Sequence, residues 1–152
     1  MVVTEALRAC PLFKGFTDTG LRILGGIARP RAFPRGARLF AEDAPGDSLF
    51  ILEEGTVRLS ARSAGGEESP LGDVGPGEPL GELTLVQPGP RLCTATAATD
   101  VRAVEIRHAD FQALMGQKPQ ACIKLLMGMV VHFGQKVRDN REPLRSLVGR
   151  KP

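Results

Sequence analysis

The spacing of hydrophobic positions changes twice along the chain and divides it into three segments. In the first segment, apolar residues recur every three to four positions, which predicts helices over 4–13 and 17–28, the second one capped by Thr17. In the middle segment, short apolar runs separated by Gly, Pro and charged residues predict strands, with a hairpin loop over 63–68. We place these strands at 38–41, 48–53, 56–61, 70–74, 91–97 and 101–107.

The helical spacing returns after Arg107. It predicts a short helix over 108–117 and a longer one from Pro119 to about Arg138, since Pro suits a first helical turn. The longer helix carries an apolar stripe made of Ile123, Leu126, Met127, Val130, Phe133 or Gly134, and Val137. Packing against the strands is the simplest account of this stripe, and a seam for a homodimer is the alternative. The whole order predicts an α+β, mainly β, fold: a small barrel or sandwich, of which the jelly roll is typical.

Composition and charge indicate one globular domain without a nucleic-acid surface. The length of 152 residues fits one domain with a short appendage, and the absence of Trp and Tyr argues against stacked aromatic platforms for nucleic acid. A net charge of +3 is too small to indicate such binding unless it is concentrated on one face. Residues 138–152 contain five basic and two acidic residues. We interpret 139–152 as a basic tail that is either a solvated chain end or a docking surface for an acidic partner.

Cysteine usage and the N-terminus indicate a reducing compartment. Cys10, Cys93 and Cys122 are an odd number at long spacings, which argues against a disulfide framework or a structural zinc site. Glu5 and Arg8 interrupt the apolar run that a signal peptide needs, and no window is long and apolar enough to span a membrane. We therefore expect a cytoplasmic protein without a membrane segment.

The residue types that enzymes need do not come together in this sequence. His108 and His132 are its two histidines, too few for a metal-dependent jelly roll. No nucleophile elbow, phosphate-binding P-loop or paired-carboxylate motif occurs. The sequence therefore predicts a protein that is not an enzyme and that requires no metal or cofactor.

The stretch "GELTLVQPGPR", residues 81–91, has the chemistry of an anion site. Gly81 permits a close backbone approach, and the free N–H groups of a short helical turn favour an anion. Arg91 can pair with two phosphate oxygens, while Glu82 beside a phosphate needs a hydroxyl donor such as a ribose. These features predict a nucleotide whose phosphate and ribose lie close together. An ordinary Glu82–Arg91 salt bridge that brackets the loop is the alternative.

The longer stretch "GELTLVQPGPRLCTATA" resembles the phosphate-binding cassette of the cyclic nucleotide-binding domain family. The family pattern is Gly-Glu-[Leu/Ile]-[Ala/Ser]-Leu, a short loop, then Arg-[Ala/Ser/Thr]-Ala-Thr. "PGDSLFILEEGTVRLS", "VGPGEPLGE" and "TDVRAVEIRHADFQALM" are similar to other parts of the same domain, so that the resemblance covers about 10–138. It implies an eight-stranded jelly-roll β-barrel flanked by N-terminal helices and C-terminal lid helices, with the domain at 1–138.

The resemblance also implies roles for individual residues. Glu82 would accept a hydrogen bond from the ribose 2′-hydroxyl, and Arg91 would pair with the cyclic phosphate. Backbone N–H groups near Leu83, Leu92 and Cys93 would complete the anion site.

Further positions are implied at the base. Leu59 and Leu71 fall where the barrel lines the purine pocket, although both are expected first as core residues. His132 and Lys136 on the last helix occupy positions that touch the purine in bacterial activators of the family. A half-exposed surface histidine is the alternative for His132.

Leu92 departs from the family pattern, because its side chain cannot donate a hydrogen bond to a phosphate or to a guanine. We therefore expect cyclic AMP rather than cyclic GMP, with a cyclic dinucleotide left open. The resemblance implies a sensor that signals to a protein partner through movement of the lid helix; the alternative is an adaptor that has lost the nucleotide. About 14 residues follow Arg138, too few for the helix-turn-helix module of the related activators, so no direct DNA binding is expected.

Overall fold

The computed structural model describes residues 2–142 and begins with two short helices. Helices α1 (Val2–Arg8) and α2 (Asp18–Gly25) are separated by a 3-10 turn at Pro11–Phe13. The predicted helix over 4–13 is therefore divided, because Pro11 has no N–H to continue a helix. The Thr17 hydroxyl accepts from the Gly20 N–H at 3.1 Å, as predicted for the cap of α2.

Two antiparallel sheets of four strands each follow, in the orders β1-β10-β4-β7 and β2-β9-β5-β6, with a two-stranded ribbon of β3 and β8 beside them. The eight strands of the two sheets agree with the predicted jelly roll. The strands are β1 (Ala28–Phe33), β2 (Arg38–Phe40), β3 (Pro45–Gly46), β4 (Ser48–Glu54), β5 (Val57–Arg62), β6 (Glu68–Val74), β7 (Pro79–Leu80), β8 (Gly89–Pro90), β9 (Thr94–Ala97) and β10 (Val101–Arg107). The remaining helices are α3 (Glu82–Val86), α4 (His108–Gln117) and α5 (Pro119–Asp139).

Strand β4 divides the hydrophobic core into two clusters, because successive side chains of a strand point to opposite faces. Leu49 and Ile51 pack with the buried faces of the helices. Phe50 and Leu52 point the other way and pack inside the barrel. Burial on both faces explains why β4 is a nearly continuous apolar run rather than an alternating one.

The sequence analysis misses the edge strands β1 and β7 and misplaces Leu71, which lies on the edge strand β6. Strand β1 was not predicted, because "ARPRAF" contains a proline and four exposed residues; it pairs with β10 alone in the described fold. Leu71 was expected in the core and is 60% exposed. The register passes from Leu59 opposite Gly72 to Ser60 opposite Pro70, so Leu71 is a bulged residue on an edge strand.

Helix α5 packs through a different face from the predicted one, mainly against the 3-10 turn, α2 and α4. Its buried residues are Cys122, Leu125 and Met129. The predicted stripe is largely exposed, at Ile123, Met127, Val130, Phe133 and Val137. The simplest account of the stripe, packing against the strands, is therefore wrong, because the helix also carries a second apolar face. The homodimer seam stays a prediction.

Three other features that the sequence analysis considered are the C-terminal tail, a membrane-spanning helix and the cysteines. Residues 143–152, most of the predicted basic tail, lie outside the described residues, so the boundary at 138 stays a prediction. None of the described helices has the length and apolar character needed to cross a lipid bilayer. Cys10 and Cys122 are buried thiols, and burial raises the pKa of Cys10 to about 12.

The close contact between α5 and the N-terminal 3-10 turn yields a stability prediction. A Cβ on Gly128 would overlap the Leu12 carbonyl oxygen and lie 3.2 Å from its carbon, both of them backbone atoms that cannot rotate away. We expect Gly128→Ala to lower the free energy of unfolding by about 1–3 kcal/mol. In the same helix, a Cβ on Gly134 meets nothing within 4 Å. Gly134→Ala, the matched control, should be about 0.5–1 kcal/mol more stable than wild type, and equal urea midpoints for both variants would contradict the packing.

Candidate functional site

The guanidinium of Arg91 is buried at the mouth of the barrel, with 4% of the residue exposed. Nη1 donates to the Ser48 carbonyl oxygen at 3.0 Å and to the Thr84 hydroxyl at 2.8 Å. Nη2 donates to the Ser48 hydroxyl at 3.2 Å. The guanidinium also lies over the ring of Phe40, 4.3 Å from the ring centroid.

Three of the five N–H hydrogens of a guanidinium are thereby used inside the protein. Nε has no hydrogen-bond partner within residues 2–142, although it is buried. Because Nη1 and Nη2 both face Ser48, the hydrogens left over lie on the Nε edge of the group. An Nε–H and an Nη2–H side by side form a fork that fits two oxygens of one phosphate or carboxylate.

Burial lowers the pKa of Arg91, while the nearby carboxylates of Asp47 and Glu105 act in the opposite direction. The ordinary pKa of arginine is so high that the side chain stays charged at neutral pH. The site therefore contains a fixed positive charge with two donors to spare.

Two glycines make room for this side chain. A Cβ on Gly46 would overlap Nε of Arg91, and a Cβ on Gly81 would overlap its Nη1. Gly81 also has a φ of 74°, in the left-handed region, where it forms the N-cap of α3. The sequence predicted that Gly81 permits a close approach to a ligand; in the structure its lack of a Cβ admits the guanidinium.

The Glu82 carboxylate lies near Arg91 but does not pair with it. The ion pairs found among the described residues do not include Glu82, so the alternative of a bracketing salt bridge is wrong. Its Oε1 atom is buried and has no hydrogen-bond partner in the described part of the chain. Glu82 and Arg91 therefore each bury a polar atom that the described residues leave without a partner.

A cavity of about 190 Å³ connects these groups. It is lined by Phe40, Leu59, Val74, Glu78, Pro79, Leu80, Gly81, Glu82, Leu83, Thr84, Arg91, Leu92, Cys93 and Lys136. Hollows of about 510 and 570 Å³ occur elsewhere on the surface. Their walls contain none of the buried, unpartnered polar atoms found in residues 2–142, so the smaller cavity is the candidate site.

The structure brings together most of the residues predicted for the site. Those that line the cavity are Leu59, Gly81, Glu82, Leu83, Arg91, Leu92 and Cys93. Leu71 is not among the lining residues. His132 is not among them either, but its Nε2 atom is buried without a partner in the described chain, while Lys136 of the same helix does line the cavity.

Sequence reasoning missed Phe40, Ser48 and Thr84. Thr84 could have been found, because it stands where the cassette pattern has Ala or Ser, and its larger side chain carries the hydroxyl that Arg91 contacts. Ser48 is 43 residues from Arg91, and nothing in the local pattern marks it.

Comparisons with known proteins agree with this geometry. The family model of the cyclic nucleotide-binding domain matches residues 30–118. The CRP-like cAMP-activated global transcriptional regulator of Mycobacterium tuberculosis is 35% identical over 122 residues, which are 80% of this chain and 54% of the relative. The chain thus spans about half the length of such curated relatives.

Two solved structures are similar throughout the described fold. The N-terminal domain of a transcriptional regulator from Streptomyces coelicolor A3(2) superposes with a TM-score of 0.77 at 34% identity, covering 91% of this chain and 94% of that one. The catabolite activator protein of Thermus thermophilus superposes with a TM-score of 0.80 at 27% identity, covering 91% of this chain and 63% of that one. The family match, the jelly-roll architecture and the cassette around Arg91 together show that this chain belongs to the cyclic nucleotide-binding domain family.

Proposed function

We propose that the chain is a regulatory module that binds cyclic AMP in the cavity beside Arg91. The observation that carries this proposal is that two residues lining one cavity each bury a polar atom without a partner in residues 2–142: Nε of Arg91 and Oε1 of Glu82. Buried polar groups without partners are rare in folded proteins and are costly. A ligand with an anion next to a hydroxyl would satisfy both, and a ribose 3′,5′-cyclic phosphate has that combination.

In this proposal each cassette residue has one task. Arg91 donates through Nε and Nη2 to two phosphate oxygens, and Glu82 accepts from the ribose 2′-hydroxyl. The N–H groups of Leu92 and Cys93, which donate to no backbone carbonyl in residues 2–142, would donate to the same phosphate, together with that of Leu83. A charge-assisted fork and backbone donors are a common way to hold a phosphate.

Three observations support cyclic AMP over the other cyclic nucleotides. Its volume of about 190 Å³ is below the range of roughly 300–1,000 Å³ typical of ligand sites, which disfavours a cyclic dinucleotide. Leu92 is 75% exposed at the cavity mouth and has no hydroxyl for a guanine amino group. The relatives of the chain include cAMP-activated regulators, which supports cyclic AMP over cyclic GMP.

Signalling would run through α5, because this helix contributes Lys136 to the cavity and carries His132, whose Nε2 is buried, one turn earlier. A nucleotide changes the position of such a helix only if it binds one position better than the other. The exposed stripe of α5 would then present a different surface to a protein partner or to a second copy. A regulatory rather than catalytic role, in the cytoplasm, is part of this proposal and agrees with the regulators among the relatives.

The same exposed stripe supports a second candidate, an adaptor whose partner binding is indifferent to nucleotide. Isothermal titration calorimetry and thermal melting of the chain with cyclic AMP, cyclic GMP and linear AMP separate the two. The sensor binds cyclic AMP most tightly and gains about 2.7 kcal/mol of stability at 100 times its dissociation constant. No heat and no shift in melting temperature with either cyclic nucleotide would favour the adaptor.

Replacing Arg91 tests the phosphate contact. Arg91→Lys retains the charge but removes the fork, so we expect a loss of about 2–5 kcal/mol in binding free energy for cyclic AMP, measured by calorimetry. Arg102→Lys is the control, since Arg102 forms an exposed ion pair with Glu54 at 3.6 Å, away from the cavity. Equal affinities for the Arg91 variant and wild type would refute the assignment.

Replacing Glu82 tests the ribose contact. Glu82→Gln should weaken binding of cyclic AMP more than that of its 2′-deoxy analogue, because the analogue lacks the hydroxyl that Glu82 accepts from. Glu78→Gln alters a carboxylate of the same cavity wall and should affect both ligands alike. If Glu82→Gln weakens the two ligands equally, Glu82 does not bind the ribose.

Thiol labelling tests where the ligand lies. Cys93 lines the cavity, whereas Cys10 and Cys122 are buried in the core. Burial raises the pKa of Cys93, so the native chain should react slowly with an aromatic disulfide reagent at one thiol, faster as the pH rises, and cyclic AMP should protect it. Cys93→Ser should remove the reactive thiol. Labelling at the same rate with and without cyclic AMP would contradict the proposed binding position.

A further inference from the structure

A second buried charge, Glu105 of β10, lies behind the cassette rather than in the cavity wall. The residue is 6% exposed. Its Oε1 accepts from Nη1 of Arg31 at 2.7 Å and lies 3.8 Å from Nε of Arg107. A buried carboxylate is costly unless it is paired and hydrogen-bonded, and these two arginines stabilise the charge of Glu105. They do not explain why Glu105 lies next to the site.

The remaining oxygen of Glu105 connects it to Arg91. The Ser48 hydroxyl donates to Oε2 of Glu105 at 2.8 Å and accepts from Nη2 of Arg91 at 3.2 Å. The two bonds make a continuous chain from the carboxylate to the guanidinium through one hydroxyl. Ser48 is almost fully buried, so water does not compete for these positions.

The direction of the two bonds follows from the donor inventory. A hydroxyl has one hydrogen and two lone pairs, whereas a carboxylate can only accept. Because the Ser48 hydrogen is directed at Glu105, the oxygen presents a lone pair to Arg91. Glu105 therefore fixes the hydroxyl as an acceptor for Nη2.

Ser48 in turn sets the orientation of the Arg91 guanidinium. Ser48 accepts from Nη1 through its carbonyl and from Nη2 through its hydroxyl, so it faces the end of the guanidinium. That placement leaves the Nε edge without a partner among residues 2–142, in a side chain that lines the cavity. If the hydroxyl were free to rotate, one of the two contacts that set this orientation would be lost.

We propose that Glu105 is a positioning residue for anion binding, which acts through Ser48 to aim the free edge of the Arg91 guanidinium at the ligand phosphate. The inference rests on the proposed function, since it concerns the same cavity. It adds residues from β4 and β10 that do not touch the ligand, and it makes the ion pair with Arg31 on β1 part of the support of the site.

Calorimetry with cyclic AMP on the full chain tests the inference. Glu105→Gln and Ser48→Ala should each weaken binding about tenfold relative to wild type, the effect of losing one charge-assisted hydrogen bond. In an Arg91→Lys background the same two changes should alter the affinity less than about twofold, because residues that act through one group are not additive. Glu54→Gln, at an exposed ion pair between the same two strands, is the matched control and should bind as wild type does.

The outcomes separate this inference from the function on which it rests. If Arg91→Lys weakens binding while Glu105→Gln and Ser48→Ala bind as wild type, the positioning role is overturned and the cyclic AMP site remains. Tenfold losses that persist in the Arg91→Lys background also overturn it, because a general structural defect would explain them. If wild type does not bind cyclic AMP, both proposals fall. Should thermal melting show that Glu105→Gln does not fold, Ser48→Ala, which removes one hydroxyl, decides alone.

Discussion

The burial of one guanidinium organises the mouth of this barrel. A charge that is removed from water must find hydrogen-bond acceptors, and Arg91 finds them on Ser48 and Thr84. Its side chain occupies the space where Gly46 and Gly81 would otherwise carry a Cβ, and it stacks on Phe40. The turn into α3, the β3–β8 ribbon and the start of β4 thus meet around one side chain. Two polar atoms there, Nε of Arg91 and Oε1 of Glu82, have no partner in residues 2–142, and the proposed ligand is the one that would satisfy both.

The two sheets contribute differently to the site. The sheet that contains β4 and β10 holds the guanidinium from behind through Ser48 and Glu105, whereas α3 and the segment before β9 supply the groups that face the cavity. Helix α5 closes one side with Lys136 and leaves an apolar stripe exposed on its outer face. A ligand that draws on both the cassette and α5 would connect an anion inside the barrel to a surface outside it. The proposed regulatory role depends on this connection between the ligand and the exposed face of α5.

The sequence predicted those elements whose buried and exposed positions can be read from the spacing of their own apolar residues. Helix α4 and strand β10 have the predicted bounds, and α5 ends within one residue of its prediction. Strand β1 was missed because its exposed side chains and Pro30 resemble those of a loop. The exposure of Leu71 depends on a bulge in the pairing of β6 with β5, which the local sequence does not record. In the site, the motif identified Gly81, Glu82 and Arg91. Ser48 and Glu105 are 57 residues apart and meet through the pairing of β4 with β10, which no local spacing records.

Nuclear magnetic resonance of the Arg91 Nε–H group during titration with cyclic AMP, with adenosine as the comparison ligand, observes the proposed phosphate contact itself. We expect cyclic AMP to move this proton strongly to lower field, because an anionic oxygen supplies the acceptor that residues 2–142 do not, and we expect adenosine to leave it in place. A resonance that does not respond to cyclic AMP while the ligand binds, or that responds equally to adenosine, would contradict the claim that the free edge of Arg91 is the phosphate site.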